Sequence, residues 1–148
     1  LRRFWPKSYW KAVEIWAPYR ERFGLDRLYN EVEISDIRDF AANAASFDLI
    51  FLGDILEHMS QEDAVTVVEQ LLKSAPLLLI SLPIVKMPQE ESEGNPYERH
   101  VKDDWSHAEA IKCWGSYVAL AHLEGPIGVY LLSAEPGIIE VVRLLCAN

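Results

Sequence analysis

Acidic side chains stand at the ends of three segments that the sequence predicts to be strands. Glu14 ends the first segment, Asp36 follows the second, and Asp54 follows the third, directly after Gly53. Because ligands of open α/β sheets gather at the carboxyl ends of the strands, we expect these groups to face one ligand. One carboxylate there can accept hydrogen bonds from both hydroxyls of a ribose, and another can accept one from an adenine amino group. Ile37 offers the ring an apolar contact, so the pattern indicates a nucleoside-binding edge.

Each of these carboxylates also has an ordinary structural explanation. Glu14 could be a solvated strand end, and Asp36 could cap the helix predicted after it, a role compatible with a contact to adenine. Asp54 could be a carboxylate at a helix start, where the helix dipole favours negative charge. Residue types and order alone leave both explanations open.

Two histidines are candidates for proton transfer. His58 ends the pair Glu57-His58 after the third strand, and His100 lies in a polar loop predicted over residues 85–104. An imidazole near pKa 6.5 can take a proton from a hydroxyl or an amine. Histidines in such places are more often structural, so the catalytic residue stays unassigned with these two as candidates. No Asp, Glu or His cluster has the spacing of a divalent-metal site, so the sequence predicts no metal.

The elements that must position these groups follow from the hydrophobic periodicity of the chain. Continuous or alternating apolar runs predict strands, and apolar residues at helical spacing behind capping residues predict helices. The predicted strands span residues 11–15, 47–52, 76–83, 116–123 and 127–133, and the alternation over residues 28–35 predicts a shorter strand near the end of that run. The predicted helices span residues 19–25, 36–45, 61–75, 106–114 and 135–148.

Alternation of strand and helix predicts an α/β fold, with a mostly parallel sheet and helices on both of its faces. The run 47–52 is almost entirely apolar, which predicts a central strand. The last two strands flank the turn Glu-Gly-Pro and predict a C-terminal hairpin that adds one antiparallel strand. A chain of 148 residues is the usual size of one domain, so we expect a single domain over residues 1–148.

Composition narrows the classes of partner. A net charge of −9 disfavours nucleic acid and anionic membrane surfaces, which both attract clustered Lys and Arg. No apolar run reaches the roughly 18 residues of a membrane span. Cys113 and Cys146 form neither a metal spacing nor a disulfide framework, which predicts a reducing, cytoplasmic location. The sequence leaves the oligomeric state open.

The order of these segments resembles the class I S-adenosylmethionine-dependent methyltransferases. The strings VEIWAPY, VEISDIRDF, FDLIFLGDILEHM and LLLISLP carry the likeness, which covers roughly residues 11–133. DILEHM looks like the motif that follows the fourth strand in small-molecule and carrier-lipid methyltransferases of this family. Another class with a similar fold is the nicotinamide-dependent oxidoreductases. The closing antiparallel hairpin argues against that class, because it distinguishes the methyltransferase fold from the nicotinamide-binding one.

The resemblance implies a Rossmann-like fold with S-adenosylmethionine as the cofactor. It implies that Glu14 holds the ribose, that Asp36 and Ile37 hold the adenine, and that Gly53 and Asp54 lie beside the methionine portion. The function it implies is methyl transfer to a small-molecule acceptor that the sequence does not identify. The alternative is a non-catalytic domain of the same fold that serves in protein–protein interaction.

One departure from the family is large. The glycine-rich loop that cradles the amino-acid end of the cofactor is absent, because no GxGxG occurs in the 148 residues. In the family that loop follows a strand preceding the counterpart of KAVEI. We therefore expect the first strand and its loop to lie upstream of Leu1, and the domain to be N-terminally incomplete.

Overall fold

A computed structural model describes residues 5–147 of the chain. The chain divides into two compact units, residues 1–43 and residues 44–148. The single domain expected over residues 1–148 stays a prediction. None of the helices within residues 5–147 combines the length and the apolar character needed to cross a membrane.

The first unit is built on one pair of parallel strands. Strands β1 and β2 pair in register from Lys11 opposite Glu31 to Glu14 opposite Ile34. Its elements are β1 (Lys11–Glu14), α1 (Pro18–Arg22), α2 (Leu25–Leu28), β2 (Glu31–Ile34) and α3 (Ile37–Asn43). The parallel pairing places the residues that follow β1 and β2 at one edge, as the sequence predicts.

The segment between β1 and β2 holds a second short helix that the sequence does not predict. The alternation over residues 28–35 predicts a shorter strand near the end of that run, and β2 is such a strand, since Leu28 ends the second helix and β2 starts at Glu31. Gly24 allows the second helix, since its φ of 60° lies in the left-handed region that ends α1 and turns the chain. The backbone N–H of Arg27 then donates to the Gly24 carbonyl and closes the new turn at 2.9 Å.

The second unit holds a four-stranded sheet in the order β3, β4, β6, β5. Strands β3 and β4 are parallel, and β6 runs antiparallel to both β4 and β5. The elements are β3 (Ile50–Gly53), α4 (Gln61–Leu71), β4 (Leu78–Pro83), α5 (His107–Trp114), β5 (Val118–Glu124), β6 (Ile127–Leu132) and α6 (Pro136–Cys146). The α/β class and the closing antiparallel hairpin are confirmed.

Strand β3 does not have the central position that its apolar run predicts. Among the described residues it pairs with β4 alone, so it lies at an edge of the four-stranded sheet. Its Phe51 side chain is 50% exposed, whereas Leu52 on the opposite face is 2% exposed. The apolar run therefore belongs to a strand with one buried face and one exposed face. From the sequence alone, such a strand cannot be distinguished from one that is buried on both faces.

Capped helices and large aromatic rings form the core of the second unit. Ser60 and Ser106 cap α4 and α5 as predicted, each accepting a hydrogen bond from the N–H three residues on, at 3.1 and 3.2 Å. Trp105 and Trp114 are buried with ring centroids 5.2 Å apart. Tyr130 on β6 is fully buried as well.

Candidate functional site

Glu14 occupies the predicted position as the last residue of β1. The N–H of Trp16 donates to its Oε1 at 2.7 Å, which orients the half-buried carboxylate in the turn. A carboxylate offers about four acceptor positions, so one backbone bond leaves capacity for two hydroxyl donors. The geometry is compatible with a ribose site and equally with a strand end fixed by its own turn.

Asp36 follows β2, and its carboxylate is already engaged. The N–H of Arg38 donates to Oδ1 at 2.8 Å, which caps α3. The Arg38 guanidinium also donates to both carboxylate oxygens, from Nε at 3.0 and 3.1 Å. This hydrogen bonding holds the pKa of Asp36 below its usual range. Ile37 is half-buried beside it. Asp36 therefore caps α3, which is the structural role that the sequence leaves open for it.

Gly53 and Asp54 end β3 in a constrained turn. Asp54 has a φ of 51°, in the left-handed region that residues other than Gly, Asn and Asp seldom adopt. Its N–H donates to the Ser81 carbonyl at 2.9 Å, and Ser81 Oγ donates to Asp54 Oδ1 at 3.1 Å. A Cβ at Gly53 would lie 2.8 Å from the Phe51 ring. These contacts hold an exposed carboxylate at the carboxyl end of β3.

Glu57, His58 and His100 meet in one cluster. Each offers one ligand atom, and the three atoms lie within 4.8 Å of one another. Glu57 and His58 belong to a 3₁₀ turn over Leu56–His58, and His100 comes from the segment that follows β4. The sequence names both histidines as separate candidates but carries no signal that they meet, because their contact depends on the path of a long loop.

Glu57 is the least satisfied polar side chain of the cluster. It is 2% exposed, and its Oε2 has no hydrogen-bond partner. Burial raises the pKa of the Glu57 carboxyl to about 7, with its own backbone N–H opposing and the charge of Asp54 adding to the rise. A buried carboxyl without a partner is costly and unusual in a native protein. It therefore marks a functional position better than its sequence context does.

Backbone carbonyls orient both imidazoles. His58 Nδ1–H donates to the Arg99 carbonyl at 3.1 Å, and His100 Nδ1–H donates to the Met87 carbonyl at 2.6 Å. Since a carbonyl oxygen only accepts, each neutral ring keeps its lone pair on Nε2. Burial lowers the pKa of His58, although its bond to Arg99 opposes the shift. The two rings meet edge to face with centroids 4.9 Å apart.

The segment 85–104 is anchored to the turn that carries Glu57. The backbone N–H groups of Val101 and Lys102 both donate to the Glu57 carbonyl, at 2.9 and 3.0 Å. Within the segment, the Met87 N–H donates to the Asp103 carbonyl at 2.7 Å. Asn95 is buried and its side chain accepts a bond from the Tyr97 N–H at 3.0 Å. A segment predicted as a long loop is thus fixed by backbone hydrogen bonds that its polar sequence does not reveal.

The predicted site residues fall into two groups. Glu14, Asp36 and Ile37 lie in the first unit, and Gly53, Asp54, His58 and His100 lie in the second. Within each unit the groups lie where the sequence predicts, at carboxyl ends of parallel strands or in the segment after β4. Their roles toward a ligand stay predictions. Glu57, which the sequence presents only as the neighbour of His58, becomes a candidate through its burial and its unpartnered Oε2.

Solved structures resemble this chain although sequence comparisons do not identify it. No protein-family model and no curated protein matches the sequence. The chain is similar to the structure "PigF with SAH", with a TM-score of 0.63 and 16% identity over 89% of this chain and 45% of that one. It is similar to an O-methyltransferase from neocarzinostatin biosynthesis (NcsB1) in complex with S-adenosyl-L-homocysteine and 1,4-dihydroxy-2-naphthoic acid. That match has a TM-score of 0.60 and 16% identity over 84% of this chain and 42% of that one.

A third similar structure is an O-methyltransferase family protein from Burkholderia thailandensis. Its TM-score is 0.60, with 14% identity over 90% of this chain and 47% of that one. The chain therefore spans less than half the length of these three proteins. At these identities the likeness establishes the fold, so the chain has the α/β fold of class I S-adenosylmethionine-dependent methyltransferases.

Proposed function

We propose that this chain is part of an enzyme that transfers a methyl group from S-adenosylmethionine to a small-molecule acceptor. The observation that carries the proposal is the likeness of the fold to solved structures that include an O-methyltransferase, at TM-scores of 0.63 and 0.60. In two of these structures S-adenosylhomocysteine is present, and one also holds a naphthoic acid. A carboxylate after β3 and one after β1 add groups suited to such a cofactor.

The residues that would hold the cofactor differ in how well they suit it. Glu14 is oriented by a single backbone bond, so its remaining lone pairs can accept the two ribose hydroxyls. Gly53 keeps the end of β3 free of a Cβ, and Asp54 presents an exposed carboxylate for a cationic amino group. Asp36 suits its role least, because Arg38 already takes both of its oxygens. Ile37 can still contact the adenine ring.

Methyl transfer requires that the methyl donor and the acceptor be aligned, and that a group accept the proton that the acceptor loses. When bound, S-adenosylmethionine supplies a methyl group already activated by its sulfonium. The protein gains rate by holding acceptor and donor in line, which can supply a large part of the barrier reduction. His58 and His100 each keep a lone pair on Nε2, and either can receive the proton of an acceptor hydroxyl.

Calorimetry with S-adenosylhomocysteine tests the proposal. The protein should be used as encoded, with any residues that precede Leu1. We expect stoichiometric binding, and we expect Glu14→Ala to weaken it by about 10-fold or more, since hydrogen bonds to a charged group contribute about 1.5–3 kcal/mol. Glu21→Ala removes an exposed acid from α1 in the same unit and should leave the affinity unchanged.

Two results would contradict parts of the proposal. If the protein as encoded does not bind S-adenosylhomocysteine, methyl transfer is refuted and the non-catalytic, protein-binding alternative gains. If binding occurs and Glu14→Ala leaves it unchanged, the fold assignment stands but the ribose role of Glu14 is wrong.

A further inference from the structure

We propose that Glu57, His58 and His100 form a binding site for one divalent first-row transition-metal ion, with Zn²⁺ as the preferred ion. Two imidazoles and one carboxylate are a ligand set that binds such ions while leaving coordination positions open. The proposal departs from the sequence prediction of no metal, which relied on spacing along the chain. It is based on three side chains that only the fold brings together.

The histidines are oriented as metal ligands are. A metal-bound imidazole almost always donates its other ring N–H to a carbonyl or a carboxylate, which fixes the tautomer and the ring orientation. Both rings do so here, His58 toward Arg99 and His100 toward Met87. Their Nε2 atoms are therefore the available ligand atoms, and no change of tautomer is needed before an ion binds.

The burial of Glu57 supports the metal site independently of the orientation of the histidines. Its side chain is almost completely buried, and Oε2 lacks a hydrogen-bond partner in a cluster that also contains two lone pairs. Acceptors facing one another without a donor repel, so this arrangement has a cost that a cation removes. A core carboxylate kept only for packing would be expected to have a donor within reach.

The surrounding backbone can hold such a site at constant geometry. The Glu57 carbonyl accepts bonds from Val101 and Lys102, which join the turn carrying Glu57 and His58 to the segment carrying His100. Tetrahedral Zn²⁺ with ligand distances of about 2.0–2.2 Å separates its ligand atoms by about 3.3 Å. One ligand atom of each residue already lies within 4.8 Å of the other two, so side-chain rotations can complete the site.

The ligand types select the class of ion. Mg²⁺ and Ca²⁺ prefer oxygen ligands, and this set supplies two nitrogens and one carboxylate. A protein with three ligands leaves a fourth position for water or substrate, the arrangement of a catalytic zinc site. If the proposed methyl transfer holds, an acceptor hydroxyl at that position would lose its proton more easily through the Lewis acidity of the ion. This last step rests on the proposed function, and the site itself does not.

The test is a titration of metal-free protein with Zn²⁺, repeated with Co²⁺ while its visible absorption is recorded. All variants are made in a Cys146→Ser background, because this exposed thiol competes for metal. We expect one equivalent to bind and Co²⁺ to show the absorption of a four- or five-coordinate ion. His58→Ala and His100→Ala should each weaken binding by about 100-fold or more, exceeding the 10–100-fold loss typical of supporting residues. His122→Ala is the matched control, an exposed histidine on β5 whose loss should change nothing.

Glu57→Gln keeps the proposal falsifiable if an alanine variant unfolds. Gln has the size of Glu and carries no charge, so circular dichroism should show a folded protein that has lost most of its zinc affinity. Absence of stoichiometric binding to the parent protein would overturn the proposal. So would folded His58→Ala, His100→Ala and Glu57→Gln variants that bind Zn²⁺ as the parent does, because the ion would then bind elsewhere.

Failure of this proposal and failure of the proposed function can be told apart. Zn²⁺ binding is measured without any S-adenosyl compound, and S-adenosylhomocysteine binding is measured in the presence of a chelator. A protein that binds Zn²⁺ and not S-adenosylhomocysteine keeps the metal site and loses the methyltransferase. The reverse result keeps the cofactor and returns the two histidines to the role of proton acceptors.

Discussion

The two units use the same local design with different support. Each pairs two parallel strands and places a carboxylate in the turn that follows. Among the described residues of the first unit the buried apolar side chains are Val32 and Ala41, and in the second unit they form a core that includes Trp105, Trp114 and Tyr130. A two-stranded sheet has little of its own to bury and is marginal in stability. The second unit therefore supplies most of the stabilising burial among the described residues.

The hydrogen bonding of the carboxylates does not follow the packing of the two units. Asp36 in the weakly packed unit is fully engaged by Arg38, whereas Glu57 in the well-packed unit is buried with one oxygen unpartnered. Unsatisfied polar groups are kept where packing is strong enough to compensate for them. Glu57 is therefore a candidate that the structure adds to the acidic residues at the strand ends.

The largest effect is expected from deleting a core ring of the second unit. Trp114→Ala removes a fully buried side chain packed against Trp105 and should reduce the free energy of unfolding by about 3–5 kcal/mol. The matched control is Trp5→Ala in the first unit, where the ring is 51% exposed and the loss should stay within about 1 kcal/mol. Urea denaturation measures both. Equal losses would mean that the two units do not differ in packing as described.

A smaller effect is expected from adding one methyl group to the core. A Cβ at Gly128 would lie 2.6 Å from the Tyr130 hydroxyl and 2.8 Å from Ile84, so Gly128→Ala should cost about 1–3 kcal/mol. Gly137 near the start of α6 has nothing within 4 Å of its Cβ position. Gly137→Ala should be neutral or stabilise by up to about 1 kcal/mol, because Ala is the better helix former. Thermal melts of the two variants should shift in different directions or by clearly different amounts.

The two carboxylates should respond to neutralisation with opposite signs. Asp36→Ala removes a cap and an ion pair and should destabilise the protein by about 0.5–2 kcal/mol. In the presence of a chelator, Glu57→Gln removes an unpartnered buried acid and should stabilise the protein by about 1–2 kcal/mol. With saturating Zn²⁺ we expect the second sign to reverse, since the parent then gains binding energy that the variant lacks. A destabilising Glu57→Gln in chelator would show that the carboxyl has a donor after all.

The contribution of Asp36 should also depend on pH in a defined direction. Its folded pKa lies below its usual range because of Arg38, so its stabilisation is complete above the unfolded pKa of about 3.9. It is lost as the pH falls from there through the folded pKa. The stability difference between the parent and Asp36→Asn should therefore be constant near neutral pH and shrink in acid. A difference that grows below pH 4 would contradict the pairing.

The smallest effect is expected at the exposed ion pair of the first unit. Arg20 donates to Asp26 at 2.8–3.2 Å, but both side chains are largely exposed. Exposed pairs gain little because water screens them and ordering two long side chains costs entropy. Arg20→Ala should leave the urea midpoint unchanged within error. A clear shift would show that the first unit depends on surface charge more than its packing suggests.

Much of the fold followed from local patterns. Continuous or alternating apolar runs located the six strands found within residues 5–147, and capping residues Ser60 and Ser106 located the starts of α4 and α5. The closing hairpin followed from a turn between two apolar runs. The short helix α2 before β2 and the edge position of β3 did not follow. The first depends on the left-handed backbone of Gly24, and the second depends on which strands pair, a property that the sequence of one strand does not contain.

The sequence by itself determined the alternating α/β order, the antiparallel hairpin and the acidic residues that end β1 and follow β2 and β3. These are local properties, because periodicity, caps and strand ends depend on residues that are close together in the sequence. Only the tertiary structure decided that the Arg38 guanidinium binds the Asp36 carboxylate, and that His100 lies beside Glu57 and His58. Side-chain satisfaction and distant contacts depend on the path of the whole chain. The candidate metal site exists because the segment after β4 returns to the turn after β3 and is held there by backbone hydrogen bonds.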